Sequence, residues 1–152
     1  MAVTQKDPNT IAIAGNYVLV NDIPAAEAIT PGMLITTKSD SGTLKWYKHD
    51  TAADVQEPIV ALEQDEMNKT VDTAYAAGDL VKAANFSGGG IFWGLLPSGQ
   101  NIAIGDYMQS NGDGQLKEAT ATTAAAGVAK FKARKAVGAI TAQTRVYAEV
   151  LG

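Results

Sequence analysis

The sequence contains no cysteine. That excludes a disulfide scaffold, cysteine-ligated zinc or iron–sulfur centres, and thiol catalysis. It contains one histidine, His49, and no G-x-S-x-G nucleophile elbow, so a serine–histidine–acid site would have to be built around that one residue. Charge is scarce. Asp, Glu, Lys and Arg make up 18% of the chain, against about 25% in an ordinary globular domain. The 16 acidic and 12 basic side chains leave a net charge of -4, the wrong sign for a surface that holds nucleic acid by its phosphates. No run approaches the roughly 18–20 consecutive apolar residues of a membrane span. The opening MAVTQKDPNT has neither the basic start nor the apolar core of a secretory signal, which predicts a protein made and kept in a cytoplasm-like compartment.

What is present is the text of one folded domain. Apolar residues form 46% of 152 positions, and a chain of that length can bury roughly 68–70% of its unfolded surface without staples. Residues 1–10 are polar and unperiodic and read as an extended N-terminal arm; residues 11–152 read as a single domain. Within it, short apolar runs recur every 8–12 residues or so between Gly, Pro, Asn and Asp: IAIAGNYVLV with a turn or bulge at Gly15-Asn16, MLITT, TLKWYKH, PIVALEQ, GDLVKA, GIFWGLL, GDYMQS, GVAKFKAR, GAITA and TRVYAEVL. That spacing predicts an all-β fold, a small compact barrel or sandwich. Pro24–Ala28 could form one helical turn. Residues 119–127, rich in both Ala and Thr, are open between helix and loop.

An internal repeat organises these strands. Ile29–Lys45 matches Ile102–Lys117 with one gap: an apolar residue, a turn glycine (Gly32, Gly105), a strand, a Gly-containing hairpin turn and a closing Leu-Lys. A partial third copy is Ala77-Gly78-Asp79-Leu80-Val81. The prediction is two related hairpin units around one core.

At these residues the chain resembles the capsid cement, or head decoration, proteins of tailed bacteriophages. The match runs through Pro31-Gly32-Met33-Leu34 with its hairpin and Val60-Ala61-Leu62-Glu63. It continues through Tyr75–Val81 and Ile102–Tyr107 into Ser110–Lys117, and ends with the closing strand Arg145–Leu151. The resemblance implies a compact β domain, commonly a homotrimer, on the outside of an expanded shell at three-fold or quasi-three-fold positions. There it would bridge neighbouring copies of the major capsid protein. It implies a location on the virion exterior and offers no catalytic residues to carry over.

Candidate chemistry is sparse, and no catalytic, metal-binding or cofactor-binding residue is assigned. His49, near a strand end, has the default reading of a surface or strand-end histidine. Glu63, Asp65 and Glu66 could pair as acid and base or hold a cation, or form a solvated loop. Asn111-Gly-Asp-Gly114 is hairpin-turn text rather than a calcium loop. Ser87-Gly-Gly-Gly90 precedes a strand rather than a helix, so it marks a flexible turn or a close backbone approach rather than a phosphate cradle.

Partner-binding candidates are stronger. Lys130, Lys132 and Arg134 alternate with Phe131 and Ala133, which places three cations on one strand face; they could meet acidic groups on a partner or simply guard a sheet. Trp46 and Trp93 are each open between core and interface anchor. The expectation is therefore a non-enzymatic virion protein that binds a major capsid protein, with no nucleic acid, membrane or small-molecule ligand. The alternative is a carbohydrate-binding β module for surface adhesion, with Trp46, Tyr47 and Trp93 as its stacking platform.

Overall fold

The computed structural model describes residues 8–52, 57–121, 127 and 129–152. Residues 1–7 of the expected arm, and 122–126 of the segment left open between helix and loop, lie outside the described residues. The described residues form thirteen strands: β1 (Ala12–Ala14), β2 (Tyr17–Val20), β3 (Ile35–Asp40), β4 (Thr43–Lys48), β5 (Ile59–Ala61), β6 (Ala83–Phe86), β7 (Ile91–Leu96), β8 (Asn101–Ile102), β9 (Tyr107–Ser110), β10 (Leu116–Glu118), β11 (Phe131–Ala133), β12 (Gly138–Ala139) and β13 (Thr144–Val150). One 3-10 turn spans Asp65–Met67. The all-β expectation holds, as a layered sandwich rather than a closed barrel.

The layers follow from side-chain alternation. A six-stranded antiparallel sheet runs in the order β1-β7-β13-β11-β9-β10, and a three-stranded sheet in the order β2-β6-β5. Phe92 and Leu96 of β7, Phe131 and Ala133 of β11, and Val146, Ala148 and Val150 of β13 point inward. They meet Val60, Ala84 and Phe86 of the small sheet in the first core. Successive strand residues face opposite ways, so Ala61 and Ala83 of the small sheet point to its other side. There they meet Ile35 and Trp46 of the β3–β4 hairpin in a second core. Strands β5 and β6 of the small sheet are thus buried on both faces, which is why IVA and AANF show no hydrophobic alternation.

The repeat is visible as geometry. In all three copies a turn closes over a glycine with positive φ: Gly32 at 94°, Gly78 at 92° and Gly105 at 87°. The residue after the glycine donates its N–H to the carbonyl two places before the glycine, Met33 to Thr30 at 3.1 Å, Asp79 to Ala76 at 3.1 Å and Asp106 to Ala103 at 3.2 Å. In the second and third copies the aspartate carboxylate also accepts the N–H of Ala76 and Ala103, at 2.9 and 2.8 Å. A side chain at these glycines would force a strained backbone, so the spacing was readable as a turn.

Two expectations are refined. Gly15 ends β1 with a φ of 91°, and a Cβ there would lie 2.5 Å from Gly90 Cα. The glycine-dense segment is therefore a place of close backbone approach. The helical turn expected at Pro24–Ala28 is absent. Pro24 accepts from Trp46 N–H at 2.9 Å, Ala25 donates to Asp79 at 2.8 Å and Ala26 to Trp46 at 2.9 Å, so these backbone groups bridge to distant segments of the chain instead of closing on themselves.

Candidate partner interface

The outer face of the six-stranded sheet gathers most of the polar and aromatic candidates. Strand pairing sets Ile91, Glu149, Lys132 and Tyr107 side by side across β7, β13, β11 and β9. In the next row Trp93 pairs with Tyr147. Because Phe131 and Ala133 are buried, period-two alternation sends Lys130, Lys132 and Arg134 to this outer face.

The cations there are held by neighbours. Arg134 Nη1 donates to Glu149 Oε2 at 3.0 Å. Lys132 Nζ lies 5.6 Å from the Tyr107 ring centre, and Lys135 Nζ lies 4.5 Å from that of Tyr147. Such contacts position a cation without desolvating it fully. A shallow cleft of about 210 Å³ opens between Lys132, Arg134, Glu149 and the Ile104–Gly105 turn. Ile104 and Tyr107 are exposed beside it. Aromatic, arginine and isolated apolar side chains on one sheet face are the composition favoured at protein interfaces.

Trp93 belongs to the same face. It lines a second cleft of about 320 Å³ with Asp72, Gln143, Thr144 and Arg145. The Arg145 guanidinium sits 4.9 Å from its ring centre, and the arginine side chain is only 9% exposed. Arg145 Nη1 donates to the carbonyls of Pro31 at 3.0 Å and Trp93 at 3.2 Å, and Nη2 donates to that of Val71. Asp72 lies 3.5 Å away. Burial pushes the arginine pKa down, and Asp72 draws it back up. Sequence reading missed this residue, since three carbonyls from distant segments leave no local signature.

Trp46 takes the core role of the two left open for it. It is 2% exposed in the second core, and its Nε1 has no hydrogen-bond partner among the described residues. The carbohydrate platform of Trp46, Tyr47 and Trp93 is not assembled. The first two lie on the β3–β4 hairpin, Trp93 lies on the large sheet, and Trp46 presents no ring face to solvent.

The chemical candidates resolve into structural contacts. His49 stands at a strand end as expected but is 6% exposed rather than on the surface. Its Nδ1 lies 2.7 Å from Ser110 Oγ, and its backbone pairs with Leu34 and Gly114. This histidine–serine contact joins the two hairpin units from the inside, where both residues are shielded from solvent. Glu63 accepts from Thr10 Oγ1 and Ile11 N–H, each at 2.8 Å, and so pins the entry to β1. Asp65 and Glu66 sit in the 3-10 turn. Asp113 accepts the Gln115 N–H at 3.1 Å, as its hairpin turn requires. Among the described residues no three His, Asp or Glu side chains converge as a metal site needs, and no helix is long and apolar enough to cross a membrane.

Neither a family model nor a curated protein matches the sequence. Among solved structures, the chain is similar to the N base of head fiber gp8.5 of bacteriophage phi29, with a TM-score of 0.58 and 10% identity. The superposition covers 89% of this chain and 94% of the other. At that identity the likeness is one of fold.

Proposed function

We propose that this chain is a non-enzymatic structural protein of a phage virion that docks on the outside of an assembled capsid. The observation that carries the reading is the near end-to-end likeness of fold to a base domain of a phage head fiber. The repeat and strand motifs that resemble head decoration proteins point the same way. The docking surface in this reading is the outer face of the large sheet, with Lys132, Arg134, Tyr107 and Trp93 turned toward the major capsid protein. The functional unit is a homotrimer that bridges neighbouring capsid subunits.

The mechanism is mass action. A protein that binds only the assembled shell stabilises it by RT ln(1 + [L]/Kd), about 2.7 kcal/mol per site at a hundredfold excess over Kd. Three linked copies multiply a modest contact into attachment that reverses slowly.

Cosedimentation of purified protein with expanded shells, followed by heating of the decorated particles, tests the reading. Retention on shells and a raised disruption temperature support it. Free protein in the supernatant at micromolar concentration refutes it, and selective glycan-array binding in that case favours the adhesion alternative.

A further inference from the structure

The β9–β10 hairpin turns through Asn111-Gly112-Asp113-Gly114, which holds the one Asn-Gly and the one Asp-Gly pair of the sequence. Such pairs suit tight turns because glycine takes positive φ, here 90° at Gly112 and 81° at Gly114. They also carry a chemical liability. With no side chain on the glycine, its backbone nitrogen meets little hindrance on the way to the side-chain carbonyl carbon of the residue before it. At Asn111 the Gly112 nitrogen loses its proton and bonds to Cγ, and the side-chain nitrogen leaves as ammonia. Water then opens the ring imide to aspartate or isoaspartate.

Both attacking nitrogens of the turn are occupied. Gly112 N–H donates to Ser110 Oγ at 3.1 Å. Ser110 is buried, and its Oγ lies 2.7 Å from His49 Nδ1. Gly114 N–H donates to the His49 carbonyl at 3.1 Å. The residue that follows β4 thus restrains one nitrogen through its side chain and the other through its backbone. The surrounding turn is fixed as well. Asn111 N–H donates to the Gln115 carbonyl at 2.9 Å, and the Asp113 carboxylate accepts from Gln115 N–H and Nε2 at 3.1 and 2.8 Å. A Cβ on Gly112 would lie 3.0 Å from the Ala52 nitrogen, so this peptide also packs against the chain beyond His49.

We propose that Asn111-Gly112 is a deamidation site held in check by Ser110, whose hydroxyl occupies the attacking N–H and is itself seated on His49. The buried histidine–serine contact then has a task beyond joining the two hairpin units. Aspartate at this position would set a second carboxylate close to Asp113, and isoaspartate would lengthen the turn by routing the backbone through the side chain. Either change strains the bond from Leu34 N–H to the Gly114 carbonyl, 2.8 Å long, by which this turn holds the first repeat.

Ageing of the purified protein at mildly alkaline pH, with peptide mapping for aspartate and isoaspartate at position 111, tests the guard. In folded wild type the reaction should run at least about tenfold slower than in the same chain unfolded in urea, since local opening must precede the attack. Ser110→Ala frees the Gly112 N–H and should speed the reaction in the folded protein by about three- to tenfold, the factor one hydrogen bond is worth. Tyr75→Phe removes a different buried hydrogen bond, from the Tyr75 hydroxyl to the Leu62 carbonyl, and should leave the rate near that of wild type. That variant separates a local guard from general loss of stability. Equal rates in folded and unfolded wild type, a Ser110→Ala rate no higher than wild type, or a Tyr75→Phe rate that matches Ser110→Ala overturns the proposal.

Discussion

Replacing Arg145 by alanine should be among the most damaging single changes in the chain, because one side chain ties four segments together. Its guanidinium, on β13, donates to carbonyls of Pro31, Trp93 and Val71. That joins the first repeat turn, β7 and the loop before Tyr75 to the centre of the large sheet. The ion pair with Asp72 adds little, since that carboxylate is 86% exposed and water screens it. The carbonyls dominate. Buried acceptors that lose their donor cost about 1–3 kcal/mol each. Here the cleft of about 320 Å³ beside Trp93 admits water, so the low end applies, about 1 kcal/mol for each carbonyl. The lost cation–ring contact contributes about 0.5–1 kcal/mol more. The sum is about 3.5–4 kcal/mol, a large share of the roughly 5–15 kcal/mol that holds a typical domain. Urea unfolding followed by tryptophan fluorescence is the assay, with Trp93 beside the lesion and Trp46 in the other core as reporters. With a slope of about 2 kcal/mol per molar urea the midpoint should fall by about 1.8–2 M, and Tm by roughly 7–16 °C. Arg145→Lys keeps the charge but not the planar fork, and should recover no more than half of the loss. A loss under about 0.5 kcal/mol for Arg145→Ala, the size of an ordinary surface change, would refute the clamp. Full recovery by lysine would show that charge, not geometry, does the work.

Three other outcomes can be measured alongside. Gly32 and Gly42 have similar φ, 94° and 86°, but a Cβ on Gly32 would lie 2.5 Å from Arg145 Nη1 and 2.7 Å from the Trp93 carbonyl, whereas one on Gly42 meets open space. Gly42→Ala should therefore cost about 1–2 kcal/mol for its backbone alone, and Gly32→Ala clearly more, by the same urea assay. Tyr75 donates its hydroxyl to the Leu62 carbonyl at 2.7 Å, and burial pushes the phenol up from 10.0 to about 12. The folded pKa is the higher one, so this contribution is whole below pH 10 and is lost as pH rises through about 12. Tyr75→Phe should cost about 1 kcal/mol at neutral pH and flatten the stability slope between pH 10 and 12 relative to wild type. On the face proposed for docking, Lys132→Glu with Arg134→Glu should slow the proposed shell binding and change its salt dependence while leaving the urea midpoint nearly unmoved. Unchanged association kinetics would move the docking surface elsewhere.

The legible parts of this protein are those set within a few residues. The three turn copies could be read because a turn glycine followed two places later by an extended residue (Leu34, Leu80, Tyr107) leaves few backbone options, and the structure gives all three the same hydrogen bond. The alternation around Phe131 and Ala133 placed the cations of β11 on one face for the same reason. The misread parts are places where distant backbone intervened. Pro24–Ala28 carries helix-forming alanines, but its N–H and C=O groups are taken by Asp79 and Trp46. His49 stands at a strand end as read, but the surface position that its sequence suggests is lost because Ser110, sixty-one positions away, lies against it.

Short apolar runs, turn glycines and alternating side chains determined the all-β class and the paired hairpin units, because strand period and turn angles are local properties of the backbone. Burial is not local, and only the tertiary structure decided it. The β3–β4 hairpin folding over the small sheet made Trp46 a core residue. Three carbonyls converging from separate segments made Arg145 a clamp. The large sheet gathered Lys132, Arg134 and Trp93 on one surface. The text of β2 reads like core, yet its side chains stand exposed because the small sheet ends there, and which strand ends a sheet is settled by long-range pairing.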